Sequence, residues 1–303
     1  MLPPTLPPHL PPQLIAHHVQ QALAEDRADA DITVASVIDP AWQVGLELRA
    51  REPLVVAGMA LAKASFQALT ANLHWKPQVE DGQQVPAGAL LASLNGQAAG
   101  LLSAERTALN FLQHLSGIAT LTRHYVQAVA GTGATILDTR KTIPGLRALA
   151  KYATLMGGAQ NHRQNLADGL MLKDNHIALI QSDADGASLA QTLHQIAAMP
   201  PLPSAAVVEC DHLDQVALCL ANRIPHLLLD NMTLAQLKQA VALRNQTAAQ
   251  AGGYRAKLEA SGGVRLETIR AIAETGVDHI SVGRLTMSAP SVDIGLDWPS
   301  TPA

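Results

Sequence analysis

From about residue 131 to residue 284, short aliphatic runs alternate with helical stretches. The runs are ATILDT (134–139), LMLKDNH (170–176), AAVVEC (205–210), HLLLDN (226–231), AKLEASGG (256–263) and HISVG (279–283). Between them lie PGLRALAKYATLMGG, SLAQTLHQIAAM, LDQVALCLANR, TLAQLKQAVALRNQTAAQ and LETIRAIAETG. Repeated β-α order demands a parallel sheet, since each crossover helix returns the chain to the same sheet end. Six runs fit an incomplete or slightly irregular α/β barrel better than a short doubly wound sheet, because of how the runs end. They close on Asp138-Thr139-Arg140-Lys141, Lys173-Asp174-Asn175-His176, Glu209, Asp230-Asn231, Ser261-Gly262-Gly263 and Gly283-Arg284. In a barrel such ends meet at one mouth, where loops carry chemistry. A stable core gains nothing from six polar tips in series.

The stretch LDTRKTIPGLR (137–147) poses the question most sharply. Only 15% of the 303 residues are charged, yet Asp138, Arg140, Lys141 and Arg147 crowd the end of one buried run. Hydrophobic residues make up 48% and aromatics 3%, so a sizeable core must be built from Ala, Leu, Val and Ile, in one large domain or two ordinary ones. A net charge of −4 excludes a general nucleic-acid binder, which carries a basic face. Local basic clusters therefore mean more than the total.

No apolar run reaches the roughly 18 residues a membrane helix needs. The opening MLPPTLPPHLPPQL lacks the basic and apolar regions of a secretory signal, and its six prolines in twelve residues read as a stiff polyproline-like arm. Cys210 and Cys219 form no CxxC or Cys/His ligand pattern and read as small buried residues in a reducing cytoplasm. His9, His17 and His18 read as surface residues, and His114 and His176 as structural.

Before residue 131 the spacing predicts helices over 14–24, 59–73 and 103–130, an acidic loop at 24–33 and a half-buried strand within 45–58. Glycines 82, 88, 96 and 100 suggest tight β turns. Residues 79–102 resemble half of a lipoyl or biotinyl carrier, but such carriers need a lysine at a hairpin tip and this segment has none. It reads as a structural hairpin unit.

The tips carry donors (Arg140, Lys141, His162, Arg163, Lys173), acceptors (Glu209, Asp230) and bare backbone (Gly262, Gly263, Gly283). Arginine forks match carboxylates and phosphates, and glycines at a strand-to-helix turn let backbone N–H groups approach a phosphate. Carboxylates take sugar hydroxyls or a Mg2+ that bridges phosphates. Such a mouth wants a polyanion with a sugar in the middle: a phosphoribosyl donor or a phosphorylated sugar. Each motif has a blander reading when taken alone. Arg140-Lys141 is then a solvated loop pair, His162-Arg163 a helix C-cap, and Ser261-Gly262-Gly263 an ordinary turn.

The motifs SAERTALNFLQHLSGIAT (103–120), LDTRKTIPGLRALAKYA (137–153), GGAQNHRQNLADGLMLKDNHI (157–177), LLLDNM (227–232) and LEASGGV (258–264) resemble the quinolinate phosphoribosyltransferase family over about residues 14–296. The resemblance implies an N-terminal α/β sandwich domain at 14–120 and an α/β-barrel type II phosphoribosyltransferase domain at 121–284. The arm at 1–13 precedes them, and the segment from about 285 to 303 packs back on the first. It implies that quinolinate and phosphoribosyl pyrophosphate give nicotinate mononucleotide, pyrophosphate and CO2 in NAD synthesis. Mg2+ is implied and an organic cofactor is not; neither nucleic acid nor membrane is a partner. The implied form is a cytoplasmic homodimer or a multiple of dimers.

Carried over by motif, Arg106 reaches the quinolinate carboxylates from the neighbouring subunit, Arg140, His162 and Arg163 complete that pocket, and Thr139 is a further substrate-binding residue. Lys141 and Lys173 hold donor phosphates, Glu209 and Asp230 face the ribose and its Mg2+, and Ser261, Gly262, Gly263 and Gly283 cradle the 5′-phosphate. Lys141, Lys173, Glu209 and Asp230 are thereby the catalytic set. Three positions depart from the family pattern: Ala28 and Ala30 replace loop glycines, and Val207 replaces the first of two strand glutamates. A molybdenum-uptake-associated relative of the same fold, or a phosphate-sugar sensor, are the alternatives. The joint presence of Arg106, Arg140, His162 and Arg163 favours a dicarboxylate acceptor over the first, and a sensor would not need so many convergent ionic groups.

Overall fold

The structure, a computed structural model, describes residues 9–182, 188–199, 206–250, 252 and 254–299. In chain order it contains α1 (Pro12–Glu25), α2 (Ile32–Val37), β1 (Gln43–Ala50), β2 (Leu54–Val55), α3 (Met59–Leu69), β3 (His74–Pro77), β4 (Gln84–Val85), β5 (Leu90–Gln97), α4 (Ala98–Ala128) and β6 (Thr135–Leu137). Next come α5 (Arg147–Gly157), β7 (Met171–Leu172), α6 (Asp174–Ser182), α7 (Leu189–Ala198), β8 (Val207–Cys210), α8 (Leu213–Ala221) and β9 (His226–Asp230). α9 (Leu234–Gln250), β10 (Lys257–Ser261), α10 (Leu266–Ala273), β11 (His279–Ser281), α11 (Arg284–Met287) and β12 (Ile294–Asp297) complete the chain. Among the described residues, two compact units emerge: 9–123 with 148–158 and 288–299, and 124–147 with 159–287.

The first unit holds an antiparallel sheet of order β12-β1-β5-β3. Along β1, Leu46, Leu48 and Ala50 are buried, while Glu47 and Arg49 point to the other face and pair at 2.6 Å. This is the period of two that a half-covered strand requires. The buried row shares one core with Met59, Ala62 and Phe66 of α3 and with Leu101, Ala104, Ala108 and Leu112 of α4.

Several local expectations change. The long helix begins at Ala98 rather than Ser103, so the 79–102 unit ends at Gln97 and Arg106 lies in the third turn of α4. Gly100 is a packing residue, not a turn residue: a Cβ there would collide with the Leu69 carbonyl oxygen at the end of α3. In the acidic loop, Ala28–Ala30 form a 3₁₀ turn and Asp31 caps α2 by accepting the Val34 N–H at 2.9 Å. The left-handed residue is Arg27, with φ 50°, so neither alanine needs positive φ. The proline arm gives way early. Pro11 keeps polyproline-like angles (φ −59°, ψ 138°) and Pro12 starts α1, while residues 1–8 lie outside the described residues. His18 is buried rather than on the surface, and burial, then His17, lowers its pKa.

The second unit is built on a parallel sheet of order β6-β11-β10-β9-β8-β7. All six predicted runs contribute a strand. Residues 226–229 and 258–260 are buried without a break, as expected of parallel strands covered on both faces. Asp230 and Ser261, at the strand ends, are partly exposed. Gln160 extends the sheet beyond β6, donating its N–H to the Ile136 carbonyl at 2.9 Å. Among the described residues no strand pairing joins Gln160 to β7, so the barrel is incomplete there. The run 170–176 is mostly not strand. Only Met171–Leu172 pair, and Asp174, Asn175 and His176 open α6, where an acidic first residue suits the helix dipole. Of the run 205–210, residue 205 lies outside the described residues. Cys210 and Cys219 are buried free thiols whose sulfurs stand 3.8 Å apart between β8 and α8.

Candidate active site

At the C-terminal ends of the parallel strands lies a cavity of about 680 Å³, within the size range of small-molecule sites. Thr139, Arg140, Lys141, His162, Arg163, Lys173, Glu209, Asp230, Ser261, Gly262, Gly263 and Gly283 all line it. Of the candidate residues, only Arg106 is absent; it is exposed on α4.

The charged crowd at 137–147 divides into anchors and site groups. Asp138 is fully buried and holds the opposite loop: it accepts the His162 backbone N–H at 2.8 Å and the Asn161 side-chain N–H at 2.7 Å. Arg147 braces the same region by donating to the Thr142 hydroxyl at 3.1 Å and the Gln164 carbonyl at 3.3 Å. Arg140 and Lys141 are left to the cavity. Arg163 is buried and donates to the Gly169 carbonyl at 3.0 Å. Burial, then the Arg140 guanidinium, lowers the Arg163 pKa. Two guanidiniums that line one cavity and repel each other favour an anion between or beside them.

The glycines play different parts. Gly262 has φ +88°, and a Cβ there would run into the Asn231 side chain. Gly263 has φ +59° and open space where a Cβ would point. A left-handed glycine pair before α10, with a bare face, is the backbone arrangement that receives phosphates. Gly283 is read differently from the sequence expectation. Its φ is outside the left-handed region, and a Cβ there would lie 2.9 Å from Lys141 Cδ, so the missing side chain makes room for the Lys141 stem. The Lys141 backbone is held as well, its N–H donating to Thr139 Oγ1 at 3.0 Å and its carbonyl accepting from Thr286 Oγ1 at 2.6 Å.

Glu209, Asp230 and Asp211 offer carboxylate oxygens that all lie within 4.8 Å of one another. Burial, then Asp230 and Asp174, raises the Glu209 pKa, with Lys173 opposing; burial also raises that of Asp230. Three crowded carboxylates suit a hard divalent cation with oxygen ligands. Lys173 is exposed at the rim rather than buried, and makes no ion pair among the described residues. A raised Glu209 pKa means that ionisation costs the folded state stability once the pH exceeds the ordinary carboxylate range. Glu209→Gln is therefore expected to raise the melting temperature of the metal-free protein at pH 7. The gain shrinks as the pH falls and the native carboxyl protonates. Melting curves from pH 4 to 8 check this; a gain independent of pH contradicts it.

The sequence reading passed over Glu259, Ser281 and Asp211. Glu259 and Ser281 stand two residues before Ser261 and Gly283, hence on the same strand face one layer deeper. Glu259 is fully buried, with Oε2 2.9 Å from His226 Nε2 and 3.5 Å from His162 Nε2. Burial alone would raise its pKa, but the two histidines outweigh it and hold the carboxyl well below its usual range.

Comparison with known proteins follows the same lines. Residues 118–297 match the family profile described as quinolinate phosphoribosyl transferase, C-terminal domain, and residues 31–116 the corresponding N-terminal domain. The chain is 42% identical over 282 residues to a nicotinate-nucleotide pyrophosphorylase (carboxylating) of Mycobacterium leprae, covering 92% of this chain and 95% of that one. It is 39% identical over 288 residues to a quinolinate phosphoribosyltransferase (decarboxylating) of Nicotiana glauca, covering 92% and 80%. The solved nicotinate-nucleotide pyrophosphorylase of Francisella tularensis superposes with a TM-score of 0.86 at 33% identity, covering 95% of this chain and 97% of that one. By profile, sequence and fold together, the chain belongs to the quinolinate phosphoribosyltransferase family.

Proposed function

We propose that this chain transfers phosphoribose from phosphoribosyl pyrophosphate to the nitrogen of quinolinate, with loss of CO2, giving nicotinate mononucleotide and pyrophosphate. One observation carries the reading: two guanidiniums, two lysines, the Glu209–Asp230 pair and a left-handed glycine turn line a single cavity. Arg140 and Arg163 suit the acceptor's two carboxylates, and Lys141 and Lys173 the donor's pyrophosphate. Gly262-Gly263 with Ser261 suits the 5′-phosphate.

The residues then act in sequence. Lys141 and Lys173 offset the charge that grows on the departing pyrophosphate. Glu209 and Asp230 face the ribose as it becomes cationic. The two arginines keep the acceptor ring in place, so that attack at C1′ is effectively unimolecular. The alkylated ring is a pyridinium, which stabilises the electron pair left when the adjacent carboxylate departs as CO2. Glu209, Asp230 and Asp211 would hold Mg2+, which supplies charge neutralisation to the pyrophosphate. No helix among the described residues is long and apolar enough to cross a membrane. The free thiol pair suits a reducing compartment, and we place the reaction in the cytoplasm.

The working form in this reading is a homodimer in which Arg106 enters the neighbouring cavity. Arg106 is exposed and outside its own chain's cavity lining, and Ile32 and Val37 leave apolar surface exposed in the same unit. Arg106→Ala and Lys141→Ala proteins, each inactive, are expected to recover about a quarter of wild-type activity when their subunits are reassorted, since half the dimers then carry one intact site. No recovery would remove Arg106 from the shared site. The reaction itself is tested by comparing acceptors. Quinolinate should be used and nicotinate, with one carboxylate fewer, should be poor; equal use of both would overturn the acceptor assignment.

A further inference from the structure

Glu259 is an ionic group that lines the cavity and has no part in the mechanism above. Glu259 lies in the middle of β10, opposite Leu228 on β9 and His279 on β11. It lines the cavity yet is fully buried. A buried carboxylate costs several kcal/mol unless paired, so packing alone would place an apolar residue there, as Leu228 is next door. Glu259 is paired on two sides. His226 Nε2, below the cavity, stands 2.9 Å from its Oε2, and His162 Nε2 stands 3.5 Å from the same oxygen.

The second nitrogen of His162 gives this pairing a direction. His162 Nδ1 accepts the backbone N–H of Arg163 at 2.8 Å. A nitrogen that accepts a hydrogen bond carries no proton, so a neutral His162 keeps its proton on Nε2, the side of Glu259. Both ring nitrogens are thus turned toward protein rather than substrate. Close N···O contacts run from His226 through Glu259 to His162, and a hydrogen bond from the Arg163 backbone N–H reaches the far side of the His162 ring. The Arg163 guanidinium lines the cavity. The His226 contact also matters for what Glu259 does not do. A carboxylate free to swing would compete with an anionic ligand for Arg140 and Arg163; one gripped from below does not.

We propose that Glu259 is a positioning residue: its carboxylate fixes the His162 ring, and through it the Arg163 that receives an acceptor carboxylate. This rests on the reading that the cavity takes a pyridine dicarboxylate. Glu259→Gln keeps the shape and removes the charge. In that variant the KM for quinolinate is expected to rise about tenfold or more. The KM for phosphoribosyl pyrophosphate, and kcat with both substrates saturating, should change less than about threefold. A general loosening would move both KM values together, and that result overturns the proposal, as does an unchanged quinolinate KM.

A second measurement needs no turnover and reads the wild-type protein. In wild-type protein labelled with nitrogen-15 on histidine, the His162 ring, assigned by its disappearance in His162→Asn, should show the Nε2-protonated form at neutral pH. The Nδ1-protonated form would overturn the proposal even if quinolinate is the substrate. If quinolinate is not used at all, the functional reading fails while the ring measurement still decides what Glu259 holds.

Discussion

Lys141→Ala is expected to lower kcat on the order of 10²–10³-fold with little change in melting temperature. The side chain is exposed, so its loss opens no cavity in the core. The contacts that shape its loop belong to the backbone: Lys141 N–H to Thr139 Oγ1, and Thr286 Oγ1 to the Lys141 carbonyl. Both survive truncation. What disappears is an ammonium whose stem is laid across Gly283 and which lines the cavity beside Thr139 and Arg140. The leaving pyrophosphate gains charge in the transition state, so the loss should fall on kcat. Steady-state kinetics and thermal melting of the same preparation check this. Retained turnover, or a large fall in melting temperature, contradicts the division between loop-shaping backbone and reacting side chain.

Asp138→Ala should behave in the opposite way, losing stability and activity together. Asp138 is fully buried, and its two oxygens satisfy the His162 N–H and the Asn161 side chain. Removing it strands at least those two buried donors, at about 1–3 kcal/mol each. The loop it releases carries His162 and Arg163. A displacement of about 1 Å in groups that orient a reactant costs on the order of 10²-fold in rate. Denaturant unfolding and kinetics on the variant test both halves. A stable Asp138→Ala protein with impaired turnover would mean that Asp138 acts on substrate directly rather than through the loop.

These two neighbours also show where sequence reading stops. Six strand runs were legible because aliphatic clusters and helical spacing leave separate periodicities. The cavity wall was legible because polar residues at the ends of parallel strands have no structural reason to recur. The resemblance, not the spacing, supplied the roles. Asp138 and Lys141, three residues apart in one polar tip, could not be told apart, since burial depends on the 161–163 loop arriving from elsewhere. Gly283 illustrates the same limit: a glycine needed for backbone reach and one needed for a neighbour's stem look alike in sequence. Residues 174–176 were read as a tip because nothing local says that β7 stops after two residues. Glu259 was within reach, being two residues before Ser261 on the same face, but only its contacts with His162 and His226 give it meaning.

The central claim is that one cavity joins the breaking of the bond between ribose C1′ and pyrophosphate to the loss of the acceptor's carboxylate. The direct measurement follows pyrophosphate and CO2 together from purified protein supplied with Mg2+, phosphoribosyl pyrophosphate and quinolinate carrying a labelled 2-carboxylate. The expected result is equal amounts of both, matched by nicotinate mononucleotide. Pyrophosphate without CO2, or no release of either, would contradict it.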